Sequence, residues 1–271
     1  MDLSIGTTFN WDIPLDRQMA LCARAGFTHL SIGAGNPGHS GYLTVAGRQR
    51  MLRLLATHGM GVCSVHAPMD READISSQDV ASARRGLDDV RRSIEAALSL
   101  HAGVVVIHPS NSEAGNPEQK KMVLTEQVIR LLELIQGEPV RLAVENLPPA
   151  PTIMMLSYSL DTIAAPQYGF CYDSSHDNLS ARPCSILEQH GHRLIATHIS
   201  DNRGMRDDHM LPYEGRVNWD DFCRVFSAID FNGIFLLEVE MRESAYQNAD
   251  EFVREAYRRG MTLLQRSGKT S

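Results

Sequence analysis

Nine side chains able to bind a divalent cation stand at the ends of short apolar runs in this chain. His66 closes SVH, His108 closes GVVVIH and Glu145 closes RLAVE. Asp173 closes FCYD, with His176 three residues on. His198 ends IATH, Asp207 and His209 follow in RDDH, and Glu238 interrupts FLLEV. Imidazole nitrogens and carboxylate oxygens are the donors that zinc, manganese, cobalt and magnesium take from proteins. Ionised carboxylates at the ends of core-forming runs are costly without a partner, and a divalent cation is the simplest partner. One such histidine alone reads as an ordinary hydrogen-bonded residue. The repetition at six consecutive runs points to a metal site. His29, His39, His58, His101, His190 and His192 share no such pattern and read as ordinary.

The elements that must position these residues follow from the spacing. Eight strands are expected: Leu3–Thr7, His29–Gly33, Gly61–His66, Val104–His108, Arg141–Glu145, Gly169–Asp173, Ile195–Ser200 and Ile234–Val239. Several are apolar at nearly every position, as strands buried on both faces are. Amphipathic stretches fill the gaps and end at glycines, among them Pro14–Ala25 before Gly26, Leu43–His58 before Gly59 and Asp79–His101 before Gly103. Pro117–Gln136, a shorter segment closed by Asp161–Ala165, another closed by Ser185–His190, Trp219–Ile229 and Ala249–Gln265 complete the helices. Eightfold strand–helix alternation predicts an α/β fold, a single-domain (β/α)8 TIM barrel over residues 1–271. A doubly wound sheet is the alternative, but TTFNWD after the first strand is not a glycine-rich phosphate fingerprint. In a barrel the strand C-termini form one rim, where active sites sit. The nine ligands would converge there.

Composition narrows the function classes. The 271 residues are 43% hydrophobic and 22% charged, which excludes a disordered or fibrous chain. No apolar run reaches the roughly 20 residues of a membrane span. The formal net charge of -7 gives no overall attraction to nucleic acid or anionic membrane. Five cysteines without C-x-x-C spacing read as reduced thiols, and MDLSIGTTFN lacks signal-peptide features. A cytoplasmic location is expected.

The motifs HAP, HPS, VENLP, CYDSSH, THISDN, D-x-H and LLEVE, in this order from Leu3 to Glu240, resemble the xylose isomerase-like barrel superfamily. It comprises the sugar and sugar-phosphate isomerases and epimerases and the endonuclease IV enzymes of AP endonuclease family 2. In the isomerase branch the resemblance implies one Mn, Mg, Co or Zn ion on Glu145, Asp173, His198 and Glu238. In the endonuclease branch it implies three zinc ions, with His66, His108, His176, Asp207 and His209 as the additional ligands. The superfamily's usual glycine is replaced here by Tyr213, which bears on the loop conformation, since tyrosine takes positive φ at a cost. The sugar enzymes of the superfamily are often dimers or tetramers, so a homo-oligomer is compatible with the resemblance, whereas the nuclease is monomeric.

Rim charge separates the branches. A duplex-binding protein neutralises several phosphates with Lys and Arg. The loop GAGNPGHSGYL carries neither, where the nuclease branch supplies an Arg to DNA. Arg71, Arg182, Arg203, Arg206, Arg216 and Arg242 are the main rim cations, and Asp70, Asp207 and Glu243 are nearby partners for them. This pattern favours a small polyol or sugar over nucleic acid. The expected reaction is removal of a proton beside a metal-chelated carbonyl through an enediolate, with Glu145 and Glu238 as acid and base. His176 and Arg203 are candidates to orient substrate oxygens, and Phe9, Trp11 and Tyr42 either wall the pocket or pack ordinarily. A zinc phosphodiesterase acting on abasic DNA is the alternative, as is a dehydratase of a cyclic polyol or dehydroshikimate-like acid. A non-catalytic barrel fits less well, because nine donors exceed a closed four-coordinate structural site.

Overall fold

The computed structural model describes residues 1–33 and 39–269. Eight parallel strands run in the order β7-β6-β5-β4-β3-β2-β1-β8. They are β1 (Leu3–Gly6), β2 (His29–Ile32), β3 (Gly61–His66), β4 (Val104–Ile107), β5 (Arg141–Glu145), β6 (Tyr168–Asp173), β7 (Leu194–His198) and β8 (Phe235–Leu237). The barrel closes just beyond the end of β7. There the Ile199 N–H donates to Leu236 O at 2.9 Å, and the Glu238 N–H donates to Ile199 O at 3.1 Å.

Helices lie between the strands. They are α1 (Leu15–Ala25), α2 (Val45–His58), α3 (Val80–Leu100), α4 (Pro117–Leu134), α5 (Ala150–Thr162), α6 (Ser174–Asn178), α7 (Ser185–His190), α8 (Trp219–Ser227) and α9 (Ala249–Arg266). Side chains of Thr44, Asp79, Asn116, Asp173, Asn218 and Asn248 cap α2, α3, α4, α6, α8 and α9 by accepting a backbone N–H of the first turn. Strands and most helices fall within a few residues of expectation. The helix after β5, expected as a shorter segment closing at Asp161–Ala165, is Ala150–Thr162, so its end agrees and its start is supplied by the structure. Pro151 falls in its first turn, where the missing N–H has no intrahelical partner to lose.

Alternation along each strand divides the interior in two. Leu3, Ile5, Leu30, Val65, Val105, Leu142 and Phe170 belong to the large cluster that includes buried residues of the helices. Val104, Val106, Ala143, Cys171 and Ala196 form a separate cluster. Continuing the period of two from Val106, Ala143, Cys171 and Ala196 leads to His108, Glu145, Asp173 and His198. The candidate ligands are therefore the top layer of the barrel interior.

Candidate metal centre

Six of the nine residues fall in two groups whose donor atoms all lie within 4.8 Å of one another. One is Glu145, Asp173, His198 and Glu238, and the other is His66, His108 and Glu145. Glu145 is common to both and is 1% exposed. Its Oε2 is 3.1 Å from His66 Nε2 and 3.4 Å from His198 Nδ1, and its Oε1 is 3.1 Å from His176 Nδ1. Burial would raise this carboxyl, but His198, His176 and His66 outweigh it and hold it well below the usual range.

Local structure aims these groups. His66 Nδ1 lies 2.8 Å from Ala67 O, and His209 Nδ1 lies 3.1 Å from Glu238 O. A ring whose Nδ1–H donates to a carbonyl presents Nε2 as a ligand. Asp173 ends β6 and caps α6, where its Oδ1 accepts the His176 N–H at 2.7 Å. Its Oδ2 is buried with no hydrogen-bond partner among the described residues. Asn146 ties Asp173 to β5: its side-chain amide donates to the Asp173 carbonyl at 2.8 Å and accepts the Asp173 N–H at 2.7 Å. Burial, with Asp207, Glu145 and Glu238 as like charges, pushes Asp173 up to about 7, although His176 opposes it.

The remaining three residues join the edge of the cluster. Asp207 Oδ2 is 3.0 Å from His176 Nε2 and 2.8 Å from His209 Nε2. The loop that brings them is anchored at Asp201, a residue the motif reading did not single out. Its carboxylate accepts the N–H groups of Asn202, Tyr213 and Val217 and the Trp219 indole. Gly215 lets this turn close, since a Cβ there would sit 2.4 Å from Asp201 Oδ1 and from Asn202 O. Tyr213 holds φ +72 in the same loop.

The donor set fits a divalent cation. Among the described residues, Asp173 Oδ2 and both ring nitrogens of His198 find no hydrogen-bond partner although they are buried. His198 Nδ1 nevertheless stands 2.9 Å from Glu238 Oε2. Donors that converge without bonding one another are arranged for a third party. Burial would raise Glu238, but His198 draws it down to about 2.

Other expected residues fall elsewhere. Arg203 gives its backbone N–H to Asp208 at 3.0 Å and its guanidinium to Glu243 at 3.1 Å. Arg206 binds Asp208 and Glu243 as well, and Arg242 stands by Glu240 and Glu243. Glu243 is thus a partner of these arginines as expected, Asp208 is a second partner of Arg203 and Arg206, and Asp207 belongs to the histidines. Phe9 is buried and stacks on Phe252. Tyr42 is buried and donates to the His66 carbonyl at 2.6 Å. Trp11 does line the mouth of the site, with Met69, His66 and Glu238. Of the loop GAGNPGHSGYL, residues 34–38 lie outside the described residues.

Fold and site together define a (β/α)8 barrel with an imidazole–carboxylate cluster at its C-terminal rim. The chain belongs to the xylose isomerase-like TIM barrel family, whose model matches residues 19–265. It is 29% identical over 277 residues to the uncharacterized protein y4fM of Sinorhizobium fredii, covering 88% of this chain and 87% of that one. A solved IOLI protein with a bound zinc atom superposes with a TM-score of 0.83 at 18% identity, over 98% of both chains. A D-tagatose 3-epimerase-like protein superposes with a TM-score of 0.80, also at 18% identity and over 98% of both chains. No helix among the described residues is long and apolar enough to cross a membrane.

Proposed function

We propose that the protein is a divalent-metal-dependent isomerase or epimerase of a small sugar or sugar phosphate. The convergence of Glu145, Asp173, His198 and Glu238 within 4.8 Å carries this reading. The fold neighbours support it, since one is a D-tagatose 3-epimerase-like protein and another an IOLI protein with a bound zinc atom. A divalent cation held by these four would polarise a substrate carbonyl and offset charge on the enediolate.

The chain supplies the proton chemistry. Glu238 is the more open carboxylate, with 21% of its side chain exposed against 1% for Glu145. It lines the mouth beside Trp11, so it is placed to take the proton from the substrate carbon. Glu145 is crowded by His66, His176 and His198, which keep it ionised and allow it to serve as ligand and as the opposite wall. Return of the proton to the opposite face gives an epimer, and return to the neighbouring carbon gives an isomer. His176 is placed beside Glu145 to hold a substrate hydroxyl. Arg203 could reach substrate only by leaving Asp208 and Glu243.

One observation favours a second reading. All nine donors of the nuclease branch are assembled, with His66–His108–Glu145 as a second group and His176–Asp207–His209 as a linked third. Against it, three of the six rim arginines, Arg203, Arg206 and Arg242, are already engaged by carboxylates, which leaves Arg71, Arg182 and Arg216 for phosphates. Metal analysis with two assays decides. Ketoses and ketose phosphates in deuterated water should take up deuterium at the carbon beside the carbonyl. Cleavage of abasic DNA, without such exchange, would replace the sugar reading.

A further inference from the structure

The opposite end of the barrel holds a second cavity, of about 300 Å³, at the N-terminal strand ends. Barrel interiors are ordinarily filled by layers of bulky branched side chains. Here Cys63, Ser64, Ala196 and Thr197 stand among branched residues such as Val62, Val104 and Leu236, and a space remains between them. A Cβ at Gly103, on its rim, would meet no atom within 4 Å. At Gly61 a Cβ would come within 2.8 Å of the His29 ring, so the glycine lets that ring lie against the cavity mouth.

Arg141 opens β5 and shares the register face of Ala143 and Glu145, so it enters the barrel from below. It lines the cavity and is half-buried. Among the described residues its guanidinium has no hydrogen-bond or ion-pair partner. That contrasts with Arg193 close by, whose guanidinium donates to the carbonyls of Leu160, Ile163 and Tyr168. Among the described residues, no Asp or Glu lines the cavity. His29 and His101 add ring nitrogens, and the Nδ1 of His29 is 2.9 Å from Thr28 Oγ1, which leaves its Nε2 for another partner. Burial pulls Arg141 below its usual pKa, and no neighbouring charge offsets it.

We propose that this basal cavity binds a small phosphate-class oxyanion, with Arg141 as the principal contact and His29 and His101 beside it. A guanidinium presents paired N–H donors that match two oxygens of a phosphate. A concave, low-dielectric wall with one sign of charge strengthens the attraction. The volume admits inorganic phosphate with waters or the phosphate end of a monoester. The site is independent of the rim cluster and of the reaction proposed there.

The test is isothermal titration of the full chain with inorganic phosphate at fixed ionic strength, with chloride as the control and glycerol 3-phosphate as the monoester arm. Saturable phosphate binding is expected, weakened about tenfold or more by Arg141→Met. Tighter binding of glycerol 3-phosphate would assign the cavity to monoesters, and tighter binding of phosphate to the free ion. His101→Asn tolerates the left-handed backbone at that position and should weaken binding as well, so it serves if Arg141→Met fails to fold. Absence of phosphate-specific binding overturns the proposal. So does binding that survives Arg141→Met and His101→Asn but is lost in Asp173→Asn, which would place the anion at the rim.

Discussion

Glu238 Oε2 stands 2.9 Å from Nδ1 of His198, and the pair lacks the alignment of a hydrogen bond. Glu145 Oε2 lies 3.4 Å from the same nitrogen. Two carboxylates converging on one buried imidazole repel each other unless positive charge lies between them. We therefore expect chelation to lower the stability of the protein. Binding to the native state alone contributes about 4 kcal/mol when free ion exceeds Kd 1,000-fold. Thermal unfolding with and without chelator reads this directly. Affinity should rise with pH, because the ligands bind cations only when deprotonated. Asp173→Asn should lose most of the bound metal, and full metal content in that variant would remove Asp173 from the ligand set.

The two glutamates should fail differently. Glu238→Gln removes the more accessible proton acceptor, so kcat should fall about 10²–10⁴-fold. Much of the metal should remain, since Glu145, Asp173 and His198 persist. Glu145→Gln removes the group common to both donor clusters, so metal content and turnover should fall together. Metal analysis beside deuterium exchange separates the two cases. Near-normal exchange in both variants would sink the acid–base assignment.

Much of this centre is legible in the sequence because strand period and barrel geometry are simple. Once Glu145, Asp173 and His198 are placed at strand ends, the rim brings them together. The supports are harder to read. Asn146, Asp201 and Asp208 are ordinary polar residues whose partners lie in other loops or strands. Only tertiary structure shows that Asp208, not its neighbour Asp207, takes the arginines. The start of α5 is harder to place than its end, because Pro148, Pro149 and Pro151 suit a loop as well as a first turn. Likewise Phe9 and Tyr42 are core residues while Trp11 reaches the site, and hydrophobicity alone cannot distinguish them. Arg141 looks like any strand-start cation until the barrel closes around it.

A buried ion pair braces the loops that follow His66 and His108. Lys120 Nζ donates to Asp74 Oδ2 at 2.8 Å, to Ser110 Oγ at 2.6 Å and to the carbonyls of Ser112 and Ala114. Both side chains are almost wholly buried, at 4% and 1% exposure. Asp74→Ala leaves the ammonium without its counter-charge, and such a loss costs about 3–5 kcal/mol. Denaturant unfolding should show it. The double variant Asp74→Leu with Lys120→Met should recover part of the loss, because no unpaired charge remains. Equal destabilisation in single and double variants would show that the loops depend on the polar contacts themselves.

Tyr213 holds a backbone conformation that glycine adopts freely, with φ +72. The left-handed region costs a non-glycine residue about 1–2 kcal/mol. Three contacts offset that cost: its N–H donates to Asp201, its ring packs 5.8 Å from that of Trp219, and its hydroxyl accepts from Arg266. Tyr213→Gly relieves the strain and forfeits the ring contacts, so stability should change by no more than about 1 kcal/mol. Tyr213→Val forfeits the contacts and adds a β-branched side chain to a left-handed backbone, so it should destabilise by about 2 kcal/mol or more. Because this loop carries Asp207 and His209, the valine variant should also lose whatever metal those two residues hold, while the glycine variant should retain it. Unfolding curves and metal content measured on the pair test both points, and a valine variant as stable as the glycine one would show that the loop does not require the left-handed turn.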